Sequence, residues 1–492
     1  MKSISAFLSL IPLVPLFAAG PATAQSPQPQ AASTSPVAYV YVGTSKGVEL
    51  YNAAVNGQLS LVHGSPFPIT GMAAGSNGKY FVSLGTYLLH TYAVSSTGTI
   101  GAQVSQIDTQ DYYGNGNCEG VKQGTEGLAN LDHTGQNLYV AFPSLDGGCD
   151  ESIQSYDISK SGDLSFVGGI MTGSNTDGGF YQMPSITSGD NFAYAAGSFD
   201  CCGLPPSWVG YTRKSTGELE NLSFKFTTNT AASQYVPYYV TADPSNHLAA
   251  IVALNYGEGQ YDPAQLASFT VDSSGNLSST GTAANMPTPS VNPYVLNMAP
   301  SGKLLAVGGS NGLEVYHFNG ASPITSYSKV LTPSNIDILH WDNNNHLYAL
   351  SEAQSTVYLT WSATDATNVT IKGSDGSTYS VGNCSGECQG DSIVYPTKTT
   401  TYTISGTPVS GSKASASTTV TVHTAPAGAA AVAAEPNATS STMSISASPN
   451  SINTFSQLFV YTVTPTSIAA VPGSPYTITT PGVNALFVVP KL

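Results

Sequence analysis

Glu126 and Glu258 are the residues of this 492-residue sequence best placed to do chemistry. Both sit in polar segments between apolar runs, where a carboxylate can take a proton from water. Asn255, Tyr256 and Asn292 could donate hydrogen bonds to a developing oxyanion. Gln182 and Tyr235 occupy similar segments and complete the candidate substrate-binding set. The same residue types are also common on polar loop surfaces. His133 and His247 lie in hairpin turns and His63 near another, so these read as exposed turn residues rather than bases. His340, beside Trp341, reads as a core or lining residue. The chain has no serine-centred nucleophile elbow, no His-Glu-x-x-His and no dinucleotide fingerprint. The run from Asp146 to Glu151 offers the hard oxygen ligands that Ca²⁺ prefers but lacks the EF-hand pattern, so neither a metal nor a cofactor is expected.

The elements that hold these residues must come from an unusual composition. Charged residues make up 9% of the chain, against about 25% in an ordinary soluble domain. Aromatics are 10%, which excludes a disordered acidic chain. The net charge is −15 and Arg213 is the sole arginine, so clustered cations for phosphate are lacking and nucleic acid is excluded as a partner. Arg213 falls in a strand-to-strand turn and is expected at the rim as a surface cation. No stretch after the first 25 residues is long and apolar enough to span a bilayer.

Residues 1–24 read as a secretory signal peptide, with Lys2 ahead of an apolar run and Ala22-Thr23-Ala24 as the cleavage site. The expected location is therefore secreted or periplasmic, with 492 − 24 = 468 residues left after cleavage. Residues 25–36 read as a disordered leader. In an oxidising compartment the six cysteines read as disulfides. Cys384 and Cys388 close a small ring in a Gly-rich loop. Cys118–Cys149 with a vicinal Cys201–Cys202 bridge is the preferred arrangement of the rest, one of three connectivities.

Two recurring half-units run along the chain. One is an apolar segment, a Gly or Asn turn and a second apolar segment, as in Gly127 to Val140, Pro237 to Ala250 and Pro293 to Ala306. The other opens on an aromatic residue and turns at a glycine, as in Tyr92 to Ile100, Tyr156 to Leu164, Tyr211 to Leu219 and Phe269 to Leu277. Together they make four half-buried antiparallel strands per repeat, the signature of a β-propeller blade. Starts near 72, 127, 183, 237, 293 and 335 give six blades, and the two chain ends share a seventh, with the strand at 484–490 filling the vacancy beside 38–42. The expected fold is all-β: a seven-bladed β-propeller closed by N- and C-terminal strands in one blade. Its parts are 37–354 and 456–492.

The last blade is interrupted between its second and third strands. Residues 355–424 read as short Thr/Val-rich strands of a small β-sandwich, and 425–455 as a return linker. The segments Leu359 to Trp361 and Thr399 to Thr403 resemble the bacterial Ig-like modules of exported proteins. An insert at that position is expected over the face where loops enter the innermost strands.

The Tyr/Phe-to-Gly-x-Leu hairpins, the Pro300 to Leu305 turn and Asn255-Tyr-Gly-Glu-Gly259 resemble the seven-bladed lactonase family, which includes 6-phosphogluconolactonase and carboxymuconate cyclases. The resemblance implies a site at the channel mouth and hydrolysis of a lactone. It also implies His and Arg groups holding an anionic substrate, and here the chain departs. Its loops carry Glu126, Gln182, Tyr235 and Asn292 where the family often has a His-Pro-His segment. An unphosphorylated lactone is therefore the expected substrate. The alternative is a non-catalytic propeller that holds a glycan or a cell-envelope protein.

Overall fold

The computed structural model describes residues 35–85, 88–109, 128–132, 134–142, 152–171, 178–180, 185–186, 191–199, 207–227, 235–254, 262–353, 357–408, 414–423, 443–448, 451–453 and 455–491. The chain is all-β, built of multiple four-stranded antiparallel sheets in the manner of a β-propeller. Sheet 1 runs outward from Ala485–Pro490 through Ala38–Thr44 and Gly47–Ala53 to Leu59–Leu61. Sheets 2, 3, 5, 6 and 7 begin on Met72–Ser76, Leu128–Leu131, Tyr235–Ala242, Pro293–Met298 and Ile338–Trp341, and sheet 4 on two short strands, Gly178–Phe180 and Ser185–Ile186, that both pair with Phe192–Phe199. In sheet 1 the strand from the far end of the chain pairs with the first described one, from Ala38↔Pro490 to Gly43↔Ala485. That pairing covers an edge that would otherwise be open.

Apolar alternation makes each sheet pack against the next. Tyr41 and Leu50 of sheet 1 share a core with Phe81 and Tyr92 of sheet 2. Val82 meets Leu138 between sheets 2 and 3, and Tyr139 meets Tyr211 between 3 and 4. Tyr194 joins sheet 4 to Val252, Ile251 joins 5 to Val307, and Val315 joins 6 to Leu347. Val40 with Leu350 and Val460 returns sheet 7 to sheet 1.

The recurrent turn glycine has a physical explanation. Gly98, Gly217 and Gly275 have φ of 79°, 89° and 81°, the left-handed region that side chains disfavour. Each carbonyl accepts a hydroxyl from the preceding sheet: Tyr41 donates to Gly98 at 2.8 Å, Tyr139 to Gly217 at 2.8 Å and Tyr194 to Gly275 at 2.5 Å. The tyrosines thus pay for their burial with inter-sheet hydrogen bonds.

Arg213 corrects an expectation. It ends the strand Ser207–Arg213, and its side chain is only 9% exposed. Its guanidinium pairs with the buried Asp132 at 2.8 Å, and donates to Tyr139 Oη at 2.8 Å and Asn137 Oδ1 at 2.6 Å. It is a bolt between sheets 3 and 4 rather than a rim cation, because its forked, permanently charged group meets three acceptors of the neighbouring sheet at once.

Between two neighbouring strands of sheet 7, His346–Ser351 and Ser456–Val463, the chain makes a separate sheet with its own core around Leu359, Ile371, Tyr402 and Val420. Its leading strands, Val357–Gly373 and Thr378–Val394, are 17 residues each, much longer than the short strands the sequence suggested. Cys384 and Cys388 lie within the second of these, joined by a disulfide. Gly382 and Gly386 bracket Cys384 at φ 98° and 80°, so the Gly-rich stretch is an irregular strand rather than a loop. The stretch read as a linker also holds strands: Met443–Ser448 pairs with Val357–Gly373, and Ser451–Asn453 with Ala414–His423. Cys118, Cys149, Cys201 and Cys202 lie outside the described residues.

Candidate functional site

The described candidates separate. Asn292 and Tyr235 are in place, whereas Glu126, Gln182, Asn255, Tyr256 and Glu258 lie outside the described residues, as does His133. Tyr235 starts the first strand of sheet 5 and is 4% exposed, with its phenol pKa raised by burial and then by Asp262. Asn292 is exposed just ahead of Pro293–Met298, at φ 48°, and its Nδ2 donates to Ser310 Oγ at 2.9 Å. The loop carrying it is anchored from below. Glu314 accepts from Ser290 N at 3.1 Å and from Tyr316 Oη at 2.6 Å. Gly309 lets the loop close over, since a Cβ there would stand 2.2 Å from the Asn292 carbonyl.

Two residues beyond Asn292, the ladder slips. Pro293 faces Gly309 but Val295 faces Gly308, so Tyr294 is the extra residue of a bulge. A bulge re-aims its side chain. Tyr294 reaches the next sheet, where its hydroxyl donates to Asp337 Oδ1 at 2.9 Å and also bonds to Asn335. Asn335 Nδ2 donates to the same Asp337 oxygen at 2.6 Å, and Glu352 N donates to Asp337 Oδ2 at 2.8 Å. Asp337 enters the first strand of sheet 7 and Glu352 leaves the second, so the hairpin register Ile338↔Leu350 sets the two carboxyl groups at one end.

The electrostatics of this end are unbalanced. Three donors converge on Asp337, but the Glu352 carboxyl faces burial and the Asp337 charge together. Burial first, and the neighbouring charge second, push Glu352 up to about 7. The Tyr294 phenol is raised as well, by burial and then by Asp337, so it stays a donor at neutral pH. Tyr294 remains 40% exposed, leaving a ring available at the lip. An acid that titrates near neutrality, beside a fixed carboxylate and an exposed ring, can both accept and return a proton.

Other titratable groups have different roles. His340 lies on the first strand of sheet 7, its ring 6.0 Å from that of Phe487. Burial lowers its pKa to about 4, so it is neutral in ordinary conditions and serves as lining. His63 is exposed, as expected of a residue near a turn. His247 is less exposed than expected, at 21%, and its Nδ1 is 3.0 Å from Asp243 Oδ2.

Sequence reasoning missed Asp337, Glu352, Asn335 and Tyr294. The strand starting near 335 was legible, and the rule that loops entering first strands carry site residues applies to Asp337. Nothing local marks Tyr294, because a bulge depends on register with a strand more than ten residues downstream.

No protein-family model matches the sequence, and no curated protein matches it. Among solved structures, a streptogramin B lyase is similar at 13% identity and a TM-score of 0.35, over 64% of this chain and 90% of that one. A eukaryotic initiation factor is similar at 11% identity and a TM-score of 0.34, over 92% and 98%. A puromycin hydrolase is similar at 9% identity and a TM-score of 0.38, over 77% and 59%. Likenesses this distant transfer neither activity nor substrate.

Proposed function

We propose that the chain is an exported, seven-bladed β-propeller with an Ig-like module in its last blade, and that it hydrolyses a small unphosphorylated lactone at the lip of sheets 6 and 7. Seven sheets pack in a closed cycle and the chain ends pair, which supports the blade count. The separate core between His346–Ser351 and Ser456–Val463 supports the insert.

The observation that carries the chemistry is the Glu352 carboxyl, lifted to about 7 beside Asp337. In its ionised form Glu352 takes a proton from water as the water oxygen bonds to the lactone carbonyl carbon. Asn292, exposed at this lip, offers the second proton of its Nδ2 to the carbonyl oxygen, while the Tyr294 hydroxyl stays on Asp337 and its exposed ring faces the substrate. Collapse breaks the ring C–O bond, and the proton on Glu352 passes to the leaving oxygen, giving a hydroxy acid. A phosphorylated substrate is poorly served, because the one arginine is committed to Asp132.

Purified mature protein is assayed by pH-stat against a panel of neutral lactones of four to seven ring atoms, together with Glu352→Gln and Asp337→Asn. Hydrolysis by the wild type that both substitutions abolish supports the reading. Hydrolysis that survives Glu352→Gln removes the base. Hydrolysis of no lactone overturns the enzyme and leaves the non-catalytic alternative, a propeller that holds a glycan or a cell-envelope protein.

A further inference from the structure

An open groove of about 490 Å³ lies between sheets 4 and 5, away from Glu352. Its walls are Trp208 at the start of a sheet 4 strand, Tyr235 at the start of sheet 5, and the connecting segment with Ser223, Phe224 and Phe226. The segment is held in place rather than loose. Leu277 N donates to Lys225 O at 2.9 Å, and Thr227 N donates to Leu277 O at 2.8 Å. The rings meet edge to face: Trp208 and Phe269 have centroids 4.9 Å apart, and Phe224 and Phe226 are 5.9 Å apart. Gly210 makes room for this, since a Cβ there would stand 2.7 Å from the Phe224 ring.

Two features say what the groove would take. Among the described residues none of its lining side chains is charged, so an ionic ligand would lose its water without finding a counter-charge there. Yet the lining is not simply apolar. The hydroxyl-bearing residues Ser207, Ser223 and Tyr235 border it. A hydrocarbon ligand would leave those donors unpaired, at about 1–3 kcal/mol each. The ligand must offer a flat apolar face and a rim of neutral hydroxyls together.

We infer that this groove binds a neutral saccharide, a sugar ring stacking on Trp208 and its hydroxyls meeting the serine and tyrosine donors. The site stands apart from the proposed hydrolysis and does not need Glu352.

The test is isothermal titration of the mature protein with cellohexaose, xylohexaose and mannohexaose, and with hexagalacturonate as the charged counterpart. At least one neutral hexamer binds with Kd of about 1 mM or tighter, and hexagalacturonate at least tenfold more weakly. Tyr235→Phe and Ser223→Ala, the latter at an exposed position, each weaken binding about fivefold or more with unchanged melting temperature. Glu352→Gln binds sugar as the wild type does, so failure here and failure of the hydrolase reading are separate results. Absence of binding by every neutral hexamer at about 10 mM overturns the inference. So does binding unchanged in both Tyr235→Phe and Ser223→Ala, or equal affinity for the uronide.

Discussion

The hairpin of Ile338–Trp341 and His346–Ser351 carries an acid-bearing cluster at each end, and the two are built to opposite rules. At the turn end, Asp342 and His346 are 1% and 2% exposed. Asp342 Oδ1 accepts from Asn344 N and His346 N, both at 2.8 Å. Its Oδ2 lies 2.7 Å from His346 Nδ1 and accepts from Tyr348 Oη at 3.2 Å. Both carboxylate oxygens have partners, and acid faces base. At the lip end, Glu352 faces Asp337, acid faces acid, and the nearby Tyr294 ring is partly open to solvent. A buried, matched network holds a turn; an unmatched, accessible one holds a proton that can leave.

Substitution at each end should break this contrast in opposite ways. Glu352→Gln has the largest expected effect on rate, a loss of about 10²–10⁴ in kcat with the fold intact. Measured kinetics against thermal melting check it, and a parallel loss of melting temperature would make Glu352 structural. Asp342→Ala has the largest expected effect on stability. It strands the His346 ring and Tyr348 hydroxyl in the core, at about 3–5 kcal/mol. Urea unfolding measures it, and a change below 1 kcal/mol would show that the turn end is dispensable.

A smaller effect is expected at the inter-sheet bolt. Arg213→Lys keeps a charge but cannot reach Asp132, Asn137 and Tyr139 together, and should lose about 2–3 kcal/mol in the same titration.

The smallest expected effect is a pH dependence. Glu352 is raised from 4.5 to about 7, so the fold favours its protonated form. The stability contributed by that form is fully present below about pH 4.5 and is lost as pH rises through about 7. Wild type and Glu352→Gln should therefore melt alike at low pH, with the variant gaining relative to wild type above 7. The rate should run the other way, rising through the same pH window as the base ionises. Parallel melting curves at every pH would mean that Glu352 is not shifted.

The repeat was readable because it is local. An aromatic position, a turn glycine and an alternating strand fall within about ten residues, and each answers to backbone geometry that a short peptide already has. The carboxylate pair was not readable. Asp337 and Glu352 are separated by a hairpin, and Tyr294 reaches them from another sheet through a bulge. Arg213 misled for the same reason: as part of a turn motif it reads as exposed, and only the neighbouring sheet supplies the acid that buries it.

Composition and periodicity alone therefore determined an all-β chain of four-stranded units, because alternation runs along single strands, and counting those units left one vacancy for the two ends to share. Which carboxylate faces which, which glycine admits which ring, and which cation is already spoken for were decided only when sheets met. Those are distances between residues far apart in the chain, and no local pattern encodes them.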